Sequence, residues 1–433
     1  MKRTIPLFFA AMCLLLAAVV TLRAEPTLAN GANIPDQYII KVRNDLSVQA
    51  AAQAVANAHG ANVSHVYGHA LHGFAAKVPP ARLAALQADP NVVSVIPDQV
   101  FYLNAPPCGK GKNPTPCPTP TPDPEPTPPP SGGDQIIPEG ILRVNGDLSS
   151  TAAGDGTGSV DVDVAIIDSG ISDHPDLNIA GGVNFTSGPS HRYSDGNGHG
   201  THVAGTVGAI DNGIGVVGVA PGARLWGLKV CGNSGSCSLS AIIGAIDWVT
   251  ANADIIEVAN MSLGGSGSEL GCNDGGYQEA ICNSVAAGVT YVVAAGNEST
   301  NAATKRPASF DQVITVSALA DFDGEPGGLG SPTCRSDVDD TFANFSNYGA
   351  DVDIIAPGVC ILSTWNDGGY NSISGTSMAS PHVAGAAALY KANNPNATPA
   401  QVQNALQNSG NFDWNNVDDG DNIKEPLLDV TNQ

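Results

Sequence analysis

Six short runs rich in Val and Ile punctuate the second part of the chain: VDVAIID, ARLWGLKV, IIEVANMSL, VTYVVAAG, VITVSAL and VDIIAPG. Each is bounded by Gly, Asn or Asp, and helical stretches lie between them. Strands apolar on both faces must be covered on both, so the pattern predicts an α/β fold with a parallel sheet packed between helices. In such sheets, catalytic and ligand groups gather at the carboxyl ends of the strands. The residues just past each run are therefore the ones to read for chemistry.

Residues 105–133, APPCGKGKNPTPCPTPTPDPEPTPPPSGG, are mostly Pro, Thr and Gly. This is a linker stiffened by polyproline conformation, and it divides the chain. Before it, residues 36–103 read β-α-β-β-α-β, the split ferredoxin-like order. Ser47 and Gly60 mark the ends of the first helix, SVQAAAQAVANAHG, and PPARLAALQAD and VVSVIPD read as the last helix and strand. His59, His65, His69 and His72 are scattered over a helix end and a hairpin, and surface positions account for them better than a metal does. After the linker, residues 134–433 form the large domain.

Residues 1–24 carry Lys2 and Arg3, then an apolar run, then small residues, as a signal peptide does. The run is short for a membrane span, so secretion without a stable membrane anchor is expected. With 41 acidic and 18 basic residues, the net charge is −23. General attraction to nucleic acid or anionic lipid is excluded. Beyond Cys13, eight cysteines remain, an even number that suits disulfides in an exported chain. No CxxC pair occurs, which argues against a structural zinc site. Of 105 possible connectivities, neighbours sharing a loop are favoured: Cys108–Cys117, Cys231–Cys237, Cys272–Cys282 and Cys334–Cys360.

Three polar groups sit where the sheet rule puts them. In VAIIDSG a strand ends with Asp168, GNGHGTHVAG opens a helix with His199, and GTSMASPHVAG opens another with Ser377 and places Pro381 in its first turn. A serine hydroxyl needs a base to take its proton, and the base needs a carboxylate to hold its tautomer. Each piece alone has a plainer reading. Asp168 could cap a turn, Ser377 could cap a helix, and His199, His202 and Asp195 could hold zinc. An α/β-hydrolase is excluded because its acid and histidine would follow the serine.

Taken together, DSG, GHGTHVAGT and GTSMASPHVAG resemble the motifs of the subtilisin-like serine peptidases, or subtilases, over roughly Gln135 to Val430. The Asp…His…Ser order is the established order of that family. The resemblance implies a secreted serine endopeptidase with Asp168 as orienting acid, His199 as general base and Ser377 as nucleophile. In VVAAGNE, Asn297 matches the side-chain donor to the oxyanion, alongside the Ser377 backbone N–H. Ser262, Leu263 and Gly264 match one backbone edge that pairs with substrate, and Gly235 and Ser236 match the other. The front unit resembles the family's propeptide inhibitor, with its tail near DQVFYLN in the cleft. The chain would then be a self-processing zymogen, cut between about 103 and 134, that acts on polypeptides as a monomer. The Pro-rich insertion between the two units departs from the family's usual pattern. A non-enzymatic protein that kept the fold is the remaining reading, and the intact triad argues against it.

The family's tight calcium site falls here on Gln135, Asp176, Ile210, Asn212, Ile214 and Val216, although DSGISDHPDL is one residue shorter than the family's pattern. Side-chain oxygens would come from Gln135, Asp176 and Asn212, and backbone carbonyls from the others. A second, weaker site would use Asp353 with carbonyls near Pro307 and Ala308.

Overall fold

The computed structural model describes residues 28–103, 135–431 and 433. The expected signal peptide, the linker and the Cys108–Cys117 pair lie outside these residues.

The front unit is built from β1 (Asn33–Val42), α1 (Val48–His59), β2 (Asn62–Tyr67), β3 (Gly73–Lys77), α2 (Leu83–Gln87) and β4 (Val92–Leu103). Its sheet runs β4-β1-β3-β2, antiparallel throughout. Alternation sends neighbouring side chains to opposite faces. Ile40, Val42, Phe74 and Ala76 thus pack with Ala52 and Val55 of α1 in the unit's own core. Ile39, Ala75 and Tyr67 face the other way and share a core with the large domain. α1 ends at Gly60, which takes a left-handed φ of 63°. Ser47 stands at the helix start as expected, but its side chain makes no capping hydrogen bond. The predicted second helix is shorter than expected, because Pro80–Arg82 forms a 3₁₀ turn ahead of it. The last strand is longer than expected and runs on to Leu103, because it pairs with the large domain.

The large domain contains α3 (Glu139–Arg143), β5 (Asp163–Asp168), β6 (Ile179–Asn184), α4 (His199–Gly208), β7 (Arg224–Lys229), β8 (Ser236–Ser238), α5 (Leu239–Ala251), β9 (Ile256–Met261) and β10 (Leu263–Ser266). α6 (Tyr277–Ala286), β11 (Thr290–Ala294), β12 (Lys305–Arg306), β13 (Ile314–Ala320), β14 (Thr341–Phe342) and β15 (Ile354–Pro357) follow, then β16 (Ile361–Thr364), β17 (Tyr370–Ile373), α7 (Thr376–Asn393) and α8 (Pro399–Ser409). The central sheet has the order β13-β11-β9-β5-β7-β6, all parallel, with β15 and the short antiparallel β14 beyond β13. This is the doubly covered parallel sheet that the six apolar runs predict. α7 lies across β9, β11 and β13, with fifteen of its residues buried.

Three of the expected disulfides form: Cys231–Cys237, Cys272–Cys282 and Cys334–Cys360. Among the described residues, no helix is long and apolar enough to cross a membrane.

Candidate active site

Asp168 is the last residue of β5, His199 the first of α4 and Ser377 the second of α7, so each stands on the end of a rigid element. Asp168 is fully buried, and both its carboxylate oxygens lie 2.9 Å from His199 Nδ1. The carboxylate thereby fixes the proton on Nδ1 and leaves Nε2 as the acceptor. Nε2 is itself buried and has no hydrogen-bond partner. Burial works to lower the His199 pKa. The charge and hydrogen bond of Asp168, backed by Asp195, outweigh it and hold the ring above its ordinary value.

Asp195 is not a metal ligand here. Its Oδ1 accepts from Ser169 Oγ, Asn197 N and Gly198 N, and its Oδ2 accepts from Thr201 N and Thr201 Oγ1. His202 bonds the Ile361 carbonyl through Nε2 at 2.8 Å, and burial pushes its pKa down to about 3. The zinc reading of these residues finds no support: Asp195 already holds the loop that presents His199, and the group of metal-ligand spacing found among the described residues lies elsewhere, at Asp321, Asp323 and Asp339. Gly198 caps this helix at φ 104°, with the Trp365 ring where a side chain would begin.

Ser377 is fully buried in this form of the chain, and its Oγ donates to the Ser262 carbonyl at 3.1 Å. Pro381 does not lie in the first turn as expected, because α7 already starts at Thr376 and so places it inside the helix. A proline there has no N–H for the carbonyl four residues back, which is that of Ser377. Ser262 Oγ supplies the missing donor at 2.8 Å. Asn260 ties this together, donating to Ser262 Oγ and accepting from Ser380 Oγ. Asn297 Oδ1 accepts from Thr376 N and Thr376 Oγ1, both at 2.9 Å, which turns the amide's donor end, Nδ2, away from Thr376.

The residues expected at the substrate edges flank β4. Tyr102 pairs with Gly264 on one side and Ser236 on the other, Leu103 pairs with Leu263, and Leu103 N donates to Gly235 O. The side chain of Phe101 is fully buried against Gly265, edge-on to Tyr277 and beneath Arg306. A Cβ on Gly265 would come within 2.5 Å of that ring. Gly265, Tyr277 and Arg306 escaped the sequence reading, since no local pattern links them.

The Subtilase family profile matches residues 159–424, and that of Peptidase inhibitor I9 matches residues 37–104. The chain belongs to the subtilase family. Subtilisin Savinase of Lederbergia lenta is 42% identical over 276 residues, covering 64% of this chain and 91% of the relative. Subtilisin NAT of Bacillus subtilis subsp. natto is 32% identical over 418 residues, covering 95% and 94%. A crystal structure of a cold adapted subtilisin-like serine proteinase superposes with a TM-score of 0.52 at 34% identity, covering 64% of this chain and 90% of that one. This subtilase is a serine endopeptidase preceded by an inhibitory propeptide unit.

Outside the cleft, the subtilase gathers oxygens around Asp176. Its carboxylate accepts from Asn212 Nδ2, Val216 N and Tyr370 OH, and burial raises its pKa to about 6. Gln135 was expected to offer an oxygen, but its Nε2 points at the carbonyls of Ile210 (2.7 Å) and Val216 (3.0 Å). Its Oε1 is buried without a partner. Asn212 likewise gives Oδ1 to Ile214 N. An amide turned by half a rotation exchanges donor for acceptor within the same outline, so Gln135 fits a cation as well as it fits hydrogen bonds, whereas Asn212 would give up the bond from Ile214 N.

Asp353 was expected at a second site. Its carboxylate is instead taken by Thr315 N and the amides of Gln403 and Gln407, while the Pro307 and Ala308 carbonyls accept from Phe310 N and Thr315 Oγ1. A separate acidic cluster joins Asp321, Asp323 and Asp339, with carboxylate oxygens within 4.8 Å of one another and Arg143 Nε 2.8 Å from Asp321. The four front-unit histidines do not converge: His59 bonds Asp89, His65 bonds Phe185 O and His72 bonds Leu46 O.

Proposed function

We propose that this subtilase hydrolyses peptide bonds through Asp168, His199 and Ser377, by way of an acyl-enzyme. The observation that carries the reading is the His199 ring, with Nδ1 locked on Asp168 and Nε2 left without a partner. His199 Nε2 takes the proton of Ser377 Oγ as the oxygen attacks the scissile carbonyl, then delivers it to the leaving amine. A second turn of the same relay uses water to release the acid product. Asn297 Nδ2 and Ser377 N receive the oxyanion as it forms. Substrate lies as a strand between the edges 235–236 and 262–264, held chiefly by main-chain hydrogen bonds.

The chain is read as a secreted monomeric zymogen: signal peptide 1–24, propeptide 36–103, linker 105–133 and peptidase 134–433. The zymogen reading rests on β4, which fills the strand position that a substrate would need. Self-processing then falls between about 103 and 134. A calcium ion would be held by Asp176, the carbonyls of Ile210, Ile214 and Val216, and the turned amides of Gln135 and Asn212. When bound, it supplies charge that ties the 210–216 loop to Asp176 and takes no part in hydrolysis.

The deciding experiment is Ser377→Ala in the full chain, followed by sequencing of the amino termini. Hydrolysis should vanish and the precursor should stay intact. Normal maturation of the purified variant, free of other peptidases, would remove the triad assignment.

A further inference from the structure

Arg306 stands on β12, directly opposite Gly265 of β10, and so lines the edge against which β4 lies. It is 9% exposed, and the described residues supply no ion-pair partner for its charge. The neighbouring Lys305 has one, in Glu298 at 3.0 Å. Asp274 lies near enough for its charge to act on Arg306, but its oxygens accept from Gly276 N, Gln278 N and Glu279 N at the start of α6. Arg306 Nη2 donates to Gln99 Oε1 at 2.7 Å and to Ser266 O at 3.2 Å, and its Nε is buried with no partner. A Cβ on Gly267 would fall 2.1 Å from that Nε, so the side chain missing there leaves the guanidinium its place.

Alternation along β4 puts residues 99 and 101 on the same face. Arg306 therefore meets both: its guanidinium carbon lies 5.8 Å from the centre of the Phe101 ring, and its Nη2 holds the Gln99 amide oxygen. Gln99 serves two sides. Its Nε2 donates back to Gly31 O and Asn33 Oδ1 of the front unit, at 3.3 and 3.4 Å. A substrate strand has no front unit behind it, so the donor end of the amide loses its use and only the acceptor facing Arg306 counts. A neutral amide offers Arg306 one oxygen and no charge. A carboxylate of the same length offers two oxygens and a full charge, which is the match for a guanidinium fork.

We propose that Arg306 is a specificity-determining residue, which makes this subtilase favour polypeptides with an acidic side chain, glutamate above all, at the Gln99 place, two residues before the one that fills the Phe101 pocket. The proposal rests on the reading of 262–264 as a substrate edge. Entry as a strand comes first, so Arg306 ranks segments already loose enough to lie in the cleft. Glutamine at 99 serves the front unit and Arg306 together, which a glutamate, having no donor for Gly31 O, could not do.

The test gives the mature peptidase four quenched peptides that share the 98–103 sequence and a common tail. They differ only at the Gln99 place, which holds Glu, Gln, Ala or Lys. At low salt, kcat/KM should be roughly five- to tenfold higher for Glu than for Gln and lowest for Lys, with the spread shrinking as salt is added. Ratios are compared within each enzyme, which removes any general effect of a variant on the Phe101 pocket. Arg306→Met should bring the Glu and Gln rates together, Arg306→Lys should keep part of the difference, and Arg306→Glu should reverse it in favour of the Lys peptide. Should Arg306→Met fail to mature, the milder Arg306→Lys carries the comparison, and an undiminished ratio in it would overturn the assignment. A parent enzyme that cuts all four peptides equally would overturn the role of Arg306 while leaving the substrate edge in place. A preference for Glu that persists in Arg306→Met would overturn it too, and would give the acid to another group. A parent that digests an unfolded protein but cuts none of the four would remove the substrate edge itself, and the proposal with it.

Discussion

Pro381 stands four residues after Ser377, and the carbonyl it cannot serve accepts from Ser262 Oγ at 2.8 Å. The helix carrying the proposed nucleophile is thus held to the cleft edge at the one rung where its own ladder is missing. Ser262→Ala should leave a buried carbonyl unpaired, at a cost of about 1–3 kcal/mol in stability. Pro381→Ala restores an N–H at the right rung. The pair should therefore be coupled, with the double variant more stable than the sum of the two single changes predicts. Strict additivity in denaturant unfolding would refute the exchange of donors.

Asp168→Asn tests the electrostatics of the relay. His199 must be neutral to accept a proton, so activity falls as the pH drops through its pKa. That pKa lies above 6.5, because burial, which lowers it, is outweighed by the Asp168 charge and hydrogen bond. Removing the charge leaves burial in control. The acid limb of the rate profile should move to lower pH, while the plateau falls by roughly 10⁴-fold. A limb that stays in place would assign the titration to another group.

Asn297→Ala should lower turnover by roughly 10²–10³-fold, with substrate affinity little changed, because on the proposed mechanism the amide meets the oxyanion only as it forms. A raised KM with unchanged kcat would make Asn297 a ground-state contact instead.

Asp247 on α5 accepts three backbone N–H groups from the front unit, those of Gly68, His69 and Ala70, at 2.7–3.1 Å. Asp247→Ala should weaken inhibition of the peptidase by a separately added 28–103 fragment. The expected loss is about 2–4 kcal/mol, or roughly 30- to 1000-fold in the inhibition constant. An unchanged constant in steady-state inhibition assays would mean that β4 alone carries docking.

Chelation should inactivate the mature enzyme slowly, through unfolding and self-digestion, with the initial rate preserved. An ion present at about a hundred times its Kd adds roughly 2.7 kcal/mol to the folded state. Thermal unfolding that is identical in calcium and in excess chelator would remove the cation at Asp176 from the account.

The catalytic strings could be read directly because each puts its polar residue on an element end, where neighbours in sequence are neighbours in space. Pro381 misled that reading. Proline is rare inside helices, and the donor that excuses it, Ser262, lies 115 residues from Ser377, whose carbonyl it serves. The docking carboxylates were silent for the same reason, since Asp247 and Asp98 look like ordinary helix and strand aspartates until Ala70 and Ser240 meet them from 177 and 142 residues off. Asp195 looked like a ligand because a carboxylate beside two histidines has that composition; its role as a knot for five donors appears only in three dimensions.

β4 joins the sheet of the front unit to the cleft, with β8 on one flank and β10 on the other. On the proposed reading β4 leaves on maturation, and the mature enzyme is then a sheet with one row missing, the row that substrate fills. Any guest must supply that row, so the first thing tested is the guest's own shape, before any residue type matters. A coiled segment cannot fit without unwinding, and a strand already hemmed in by its neighbours has no free edges to give. Compact proteins would be spared, while tails, long loops and damaged chains would be cut, with selection made by local looseness rather than by spelling.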